Sequence, residues 1–258
     1  MKRILSVLAV VALVAMTAQA VDVKSENVAG VINIEIPAGG LKIVGLNLDA
    51  FATGEDTLLG ILGGQLAEGG NFDPSTADKV LLWNGSSYDV YGVRADDHQF
   101  HDATDLGTWL GAAVNPTLGP GDAFWVEDAV GDGVSLSLTG QAVASDPVQI
   151  AISAGLQFVS YPLSAKIDIQ STNFANETGV GKGGAFDPST ADKIILWNGS
   201  SYDVIGLKDD NQWYDATDLG TWLGSAVTLD IDLGVGFWYE HQLSGFTWTE
   251  TNPYLASL

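Results

Sequence analysis

Twelve aspartates fall into two matched sets, Asp73, Asp78, Asp96, Asp97, Asp102 and Asp105, then Asp187, Asp192, Asp209, Asp210, Asp215 and Asp218. Carboxylates gathered in short loops, helped by backbone carbonyls, supply the six to eight hard oxygens at about 2.3 to 2.6 Å that calcium requires. The spacing fits no EF-hand loop, and the same residues suit a second role. Asp73-Pro74-Ser75 and Asp102-Ala103-Thr104 are turn and cap sequences, in which the carboxylate accepts from a backbone N–H two residues on. Turn and cap residues are the favoured reading, with at least one Ca²⁺ per set kept as the alternative. No other cofactor is called for.

A second chemistry belongs to the aromatic residues. Tyr88 and Tyr202 sit beside Asn-Gly turns and are the rings expected at the surface, where they would stack on the apolar face of a sugar. Trp83, Trp109 and Trp125, with their counterparts Trp197, Trp222 and Trp238, lie inside apolar patterns and are expected in the core. Catalysis has less to draw on. The chain has no cysteine, and His98, His101 and His241 align with Asn211, Tyr214 and Asp128, so no histidine belongs to both sets. A thiol nucleophile and a zinc site built on paired histidines are therefore unsupported. A glycosidase needs only two carboxyls about 5 to 9 Å apart, a condition that 32 acidic residues meet too easily to be diagnostic. Asn84-Gly85-Ser86, Asn176-Glu177-Thr178 and Asn198-Gly199-Ser200 match the N-glycosylation sequon, although turn formation already accounts for the first and third.

These residues recur because the chain repeats itself. Phe72 to Arg94 matches Phe186 to Lys208 at 18 of 23 positions, and Asp102 to Val114 matches Asp215 to Val227 at 12 of 13. Every exception in the longer match exchanges apolar for apolar or Arg for Lys. The repeat predicts two like units, residues 21–142 and 143–258, with a short junction ending at Pro147. Within each unit the apolar period is mostly two. Strands are expected over Val31–Ile36, Leu41–Leu48, Lys79–Trp83, Ser87–Val93, Gln99–His101, Ala123–Glu127 and Val134–Thr139. Leu41 to Leu48 is apolar on both faces and needs cover on both. Asn84-Gly85 and Asn198-Gly199 predict tight hairpins in which both residues take left-handed backbone. Thr104–Leu110 and Thr217–Leu223 are expected to be helical, and Thr57–Leu66 to form an amphipathic helix in unit 1 alone. The fold class that follows is all-β, two tandem homologous antiparallel β-sandwiches or partly open barrels.

Composition narrows the setting. The net charge is −22, which repels nucleic acid and anionic lipid. Residues 1–20 place Lys2 and Arg3 before an apolar run and end in Ala18-Gln19-Ala20, the order of a secretory signal peptide. Cleavage would leave a mature chain more acidic still, with no later stretch long enough to insert in a membrane.

The Gly-Leu-x-Phe/Ile-Val strand, the Trp-Asn-Gly-Ser-Ser-Tyr-Asp hairpin, Gln212-Trp213-Tyr214-Asp215 and the closing Pro120-Gly-x-x-Phe-Trp-Val126 resemble repeats of bacterial secreted and cell-surface proteins. The resemblance implies an exported structural or adhesive module and transfers no catalytic residue. The expected role is a secreted or cell-surface structural protein, a coat or filament subunit, that associates with itself or with other surface proteins. Val28–Ile36 and Pro253–Leu258 are the segments expected to exchange between subunits. A carbohydrate-binding adhesion module is the alternative, and a carboxylate-dependent glycosidase the distant one.

Overall fold

The computed structural model describes residues 28–253 except Leu106 and Leu219. The proposed signal peptide, and Tyr254 to Leu258 of the second exchange segment, lie outside the described residues. In unit 1 the strands are β1 (Ala29–Ile36), β2 (Leu41–Gly45), β3 (Glu68–Gly69), β4 (Lys79–Trp83), β5 (Tyr88–Arg94), β6 (Gln99–Asp102), β7 (Ala123–Glu127) and β8 (Val134–Gln141), with a short α-helix, α1 (Leu58–Leu62), between β2 and β3 and a 3₁₀ turn, Pro74–Thr76, before β4. In unit 2 they are β9 (Val148–Ile152), β10 (Gly155–Ser160), β11 (Ile167–Asp168), β12 (Lys193–Trp197), β13 (Tyr202–Leu207), β14 (Trp213–Asp215), β15 (Leu223–Ala226), β16 (Asp230–Ile231), β17 (Gly236–His241) and β18 (Phe246–Glu250).

The two units share a strand order. The main sheet runs β2-β7-β4-β5-β6 in unit 1 and β10-β17-β12-β13-β14 in unit 2, and a two-stranded ribbon, β1-β8 or β9-β18, stands apart from each. Short extra pairings recur too: the parallel contact of Gly69 with Arg94 reappears at Gly183 and Lys208, and the Asp102–Leu110 bridge at Asp215 and Leu223. The protein is thus two tandem β-rich domains of one plan, one sheet curling into a half-barrel.

Alternation along the strands decides which face meets what. In unit 1 Val44, Phe124, Val126 and Val80 point to the ribbon and pack with Ile32, Ile34, Leu136 and Leu138. Their neighbours Ile43, Ala123, Trp125 and Leu81 point the other way and meet Phe158, Trp238, Ile195 and Trp197 of unit 2. The cover demanded by both faces of the Leu41 strand comes from the unit's own ribbon on one side and from the other unit on the other. That strand ends at Gly45, three residues before the predicted Leu48, because the Gly45 N–H leaves the sheet to donate to the Gly234 carbonyl of unit 2 at 3.0 Å.

The contact between units is reciprocal. Trp83 Nε1–H donates to the Leu156 carbonyl at 2.8 Å, and its counterpart Trp197 donates to Leu41 at 3.1 Å. Ser160, the counterpart of Gly45, donates to Gly121, the counterpart of Gly234, at 2.8 Å. Gly121 and Gly234 have φ of 97° and 77°. A Cβ on Gly121 would lie 2.1 Å from Ile150 Cδ1, and one on Gly234 2.7 Å from Ile34 Cδ1, so each ribbon presses on the other unit's turn at a position open only to glycine.

This arrangement corrects the expected place of the tryptophans. Trp125 and Trp238 are buried, but in the seam between units, with Trp83 and Trp197 half-buried at its edge. Trp109 and Trp222 are also half-buried; each lies over two glycines, Gly69 and Gly92 or Gly183 and Gly206, and donates to the Gly70 or Gly184 carbonyl. The core of unit 1 is largely aliphatic, whereas that of unit 2 stacks Phe174 on Trp248 and Tyr239, at 3.8 and 4.7 Å. Two further expectations change. The described residues of Thr104–Leu110 and Thr217–Leu223 form turns and short bridges rather than helices, since Asp105 and Asp218 accept from Gly107 and Gly220 N–H and fold the chain back. The hairpins take four-residue loops in which only Gly85 and Gly199 have positive φ; the Asn84 and Asn198 side chains instead accept from the two serine N–H groups that follow.

Candidate functional site

The aspartates are mostly spent on backbone. Asp73 and Asp187 each accept from a serine N–H two residues on at 2.8 Å, and hydrogen bonding to that serine lowers both carboxyls below their ordinary value. Asp102 and Asp215 hold Thr104 and Thr217 in the same way. Asp96 pairs with Arg94, and Asp97 with Arg94 at 2.7 Å; Asp210 takes the Tyr214 hydroxyl at 2.8 Å, while Asp209 is exposed beside it. Asp78 and Asp192 are buried latches. Asp78 receives Ala67 and Ala129 N–H, and burial raises it. Asp192 receives Gly181 and Gln242 N–H, the Tyr239 hydroxyl and His241 Nδ1, all within 2.9 Å. The predicted sets are therefore spread over several separate turns. Among the described residues no group of three or more His, Cys, Asp or Glu is placed to hold a metal ion.

The histidines peculiar to unit 1 also have counterparts in role. His101 Nε2 meets Asp97 at 2.9 Å where Tyr214 meets Asp210, and the ring packs edge-on to Trp109. Among the described residues its buried Nδ1 has no hydrogen-bond partner. His98 and Asn211 occupy the same left-handed turn position, φ 56° and 65°, and the partner changes with them: Glu68 faces His98, while Lys182 faces Asn211. Both copies thus tie the same turn with different pairs.

Tyr88 is half-buried in the seam, where its hydroxyl accepts from Trp125 Nε1 at 3.2 Å and its ring meets Trp83, Phe158 and Trp238. Tyr202 remains exposed, its ring 5.0 Å from that of Trp197. The two predicted ligand-binding tyrosines are thus in unlike surroundings.

Each unit also carries a recess at the same place in the plan, where the ribbon end meets the chain leaving the first sheet strand. The equivalence follows from register: Ile32 faces Leu138 in one ribbon and Val148 faces Glu250 in the other. In unit 2 the recess is about 360 Å³, with Tyr161, Ile167, Ser171, Asn173, Glu250, Thr251 and Pro253 on its walls. In unit 1 it is about 340 Å³, and Leu46, Leu138 and Thr139 stand where Tyr161, Glu250 and Thr251 do. Helix α1, capped by the Thr57 hydroxyl, forms one wall; it is the kept portion of the helix expected over Thr57–Leu66.

Glu250 escaped the sequence reading, which assigned no strand at Phe246–Glu250. Its aligned residue Leu138 marks the position as inward. Burial raises the Glu250 carboxyl, Glu177 adds to this, and the donors Asn173 N–H and Trp248 Nε1–H offset only part. A carboxyl raised on folding stabilises fully below its unfolded pKa, and that contribution is lost as pH rises through the folded value. Glu250→Gln keeps an acceptor for both donors. It should flatten this decline and raise the melting temperature at neutral pH relative to wild type, read by thermal denaturation from pH 4 to 7; an unchanged pH slope would exclude Glu250 as its source.

No family model, no curated protein and no solved structure matches this chain.

Proposed function

We propose that this chain is a secreted or cell-surface structural protein that associates with copies of itself. The observation that carries the reading is a pair of side chains: Phe72 and Phe186, at equivalent positions, are each 87% exposed. Both units thereby present the same apolar knob, and Leu110 and Leu223 repeat a second, smaller exposure at 39% and 38%. Exposed apolar groups that recur with the fold mark contact surfaces better than scattered ones do. Strand β1 adds an open edge, being paired among the described residues only to β8, with Val28 and Val31 exposed beside it. The charge of −22 opposes association, so salt should favour it by screening.

The test is sedimentation and light scattering of the mature protein across ionic strength. Larger species should appear as salt rises, and Phe72→Ser with Phe186→Ser should return the protein to monomer without altering its melting temperature. Calcium and magnesium at equal ionic strength should act alike if the aspartates serve turns; a calcium-specific gain would restore the metal reading. A wild type monomeric at every salt concentration would overturn self-association. The exposed Tyr202 ring against Trp197 supports the second reading, glycan binding, which a glycan array comparing wild type with Tyr202→Ala would detect.

A further inference from the structure

We infer that the recess of unit 1 is a binding site for a small amphiphilic cation, a molecule with a short hydrocarbon body and an ammonium head. The floor is hydrocarbon, made by Ile32, Leu46, Ile61, Leu118 and Leu138. Its volume, about 340 Å³, lies at the lower end of the range of small-molecule sites, which pair an apolar lining with a few polar groups. Its charged groups have one sign. Glu55 and Asp56 stand on the rim, no Lys, Arg or His lines the recess, and the shallow depression beyond it shares Asp56 and adds Asp49. Among the described residues neither Glu55 nor Asp56 has an ion-pair partner. The buried amide of Asn47 is already committed to the Tyr161 carbonyl and the Gly234 N–H, so it offers the ligand nothing. Asp56 Oδ1 already accepts from the Gly54 N–H at 3.1 Å, so Glu55 and the second Asp56 oxygen are what the rim offers a cation, and an anion would meet both carboxylates with no compensation.

The second unit serves as an internal comparison. There Glu250 and Tyr161 replace Leu138 and Leu46, so a carboxyl and a phenol stand where unit 1 has two leucines. Helix α1 supplies Gly60 and Ile61 to one wall, whereas among the described residues of unit 2 the 3₁₀ turns Ile169–Ser171 and Asn173–Asn176 bring Ser171 and Asn173 to the recess. Both copies thus keep a recess at this place of the shared framework, and only that of unit 1 has Leu46 and Leu138 on its floor. It is separate from the proposed self-association, whose knobs, Phe72 and Phe186, are not among its lining residues.

Binding is read by titrating the full mature protein with n-hexyltrimethylammonium or hexanoate at equal ionic strength, following the methyl resonances of Ile32, Ile61 and Leu138. The ammonium should saturate those shifts and bind at least about tenfold tighter than hexanoate. Thr139 is exposed on the rim, so Thr139→Trp should block the mouth and weaken binding about tenfold or more while leaving the melting temperature unchanged. Glu55→Gln with Asp56→Asn should bring the two probes within about threefold of each other. Equal binding of both probes by wild type, full binding by Thr139→Trp, an undiminished ammonium preference in the double variant, or no methyl shift up to about 10 mM ligand would each overturn the assignment.

Discussion

Trp238→Ala should destabilise the protein by about 3 to 5 kcal/mol, the range for removing a large buried aromatic residue. Trp238 is 5% exposed and stacks on Phe158 with ring centroids 3.7 Å apart, while Trp83 meets it edge-on at 5.2 Å. Its loss leaves a cavity walled by rigid rings from both sheets, which cannot collapse without moving a whole domain. The effect should exceed that of Trp222→Ala, because Trp222 is only half-buried and covers glycines at a sheet edge. Urea denaturation followed by fluorescence measures the difference. A loss below about 1 kcal/mol for Trp238→Ala would mean that the seam contributes little to holding the units together.

The second large effect is expected at Asp128. Its Oδ1 accepts from Val130 and Gly131 N–H and its Oδ2 from Gly39 and Gly133 N–H, at 2.8 to 3.1 Å, and the side chain is buried. Burial alone would raise this carboxyl, but the four backbone donors outweigh it and hold it below its ordinary value. Asp128→Ala leaves those donors without their acceptor at the turn joining β7 to β8, and should cost about 2 to 3 kcal/mol at neutral pH. A depressed carboxyl stabilises fully above its unfolded pKa, near 3.9, and loses that contribution as pH falls through the folded value. The variant should therefore differ most from wild type at neutral pH and least in acid. A gap that stays constant down to about pH 2 would assign the loss to packing instead.

Much of the fold was legible because its signals are local. Period-two apolar runs located the sheet strands, and the repeat itself predicted one plan twice. Two things were hidden. Whether Trp125 faces its own core or a neighbour depends on what covers the second face of the sheet, and a strand buried on both sides reads alike in either case. The turns at Asp105 and Asp218 were misread because Thr-Asp-Leu-Gly-Thr-Trp-Leu spaces its leucines like a helix, while the carboxylate's capture of a glycine N–H prevails in the structure. Of the candidate site, the twelve aspartates were found as residues but not as a place, since turn carboxylates scattered over two domains share a sequence signature with a metal loop. Asp128 and Glu250 went unflagged as functional or buried groups because their counterparts are His241 and Leu138, so comparison between the copies diluted them.

The reciprocal bonds across the seam, Trp83 to Leu156 and Trp197 to Leu41, are those of a face complementary to itself, the kind by which identical subunits pair. Here the two partners are carried on one polypeptide, so their meeting has no dependence on how much protein is present. A homodimer would dilute apart and would oblige any substitution to appear on both sides at once. Covalent linkage removes both constraints. One half can keep the pairing face while the other changes elsewhere, which is how a single chain comes to hold a hydrocarbon recess at Leu138 and a buried carboxyl at Glu250 in the same place of the same fold.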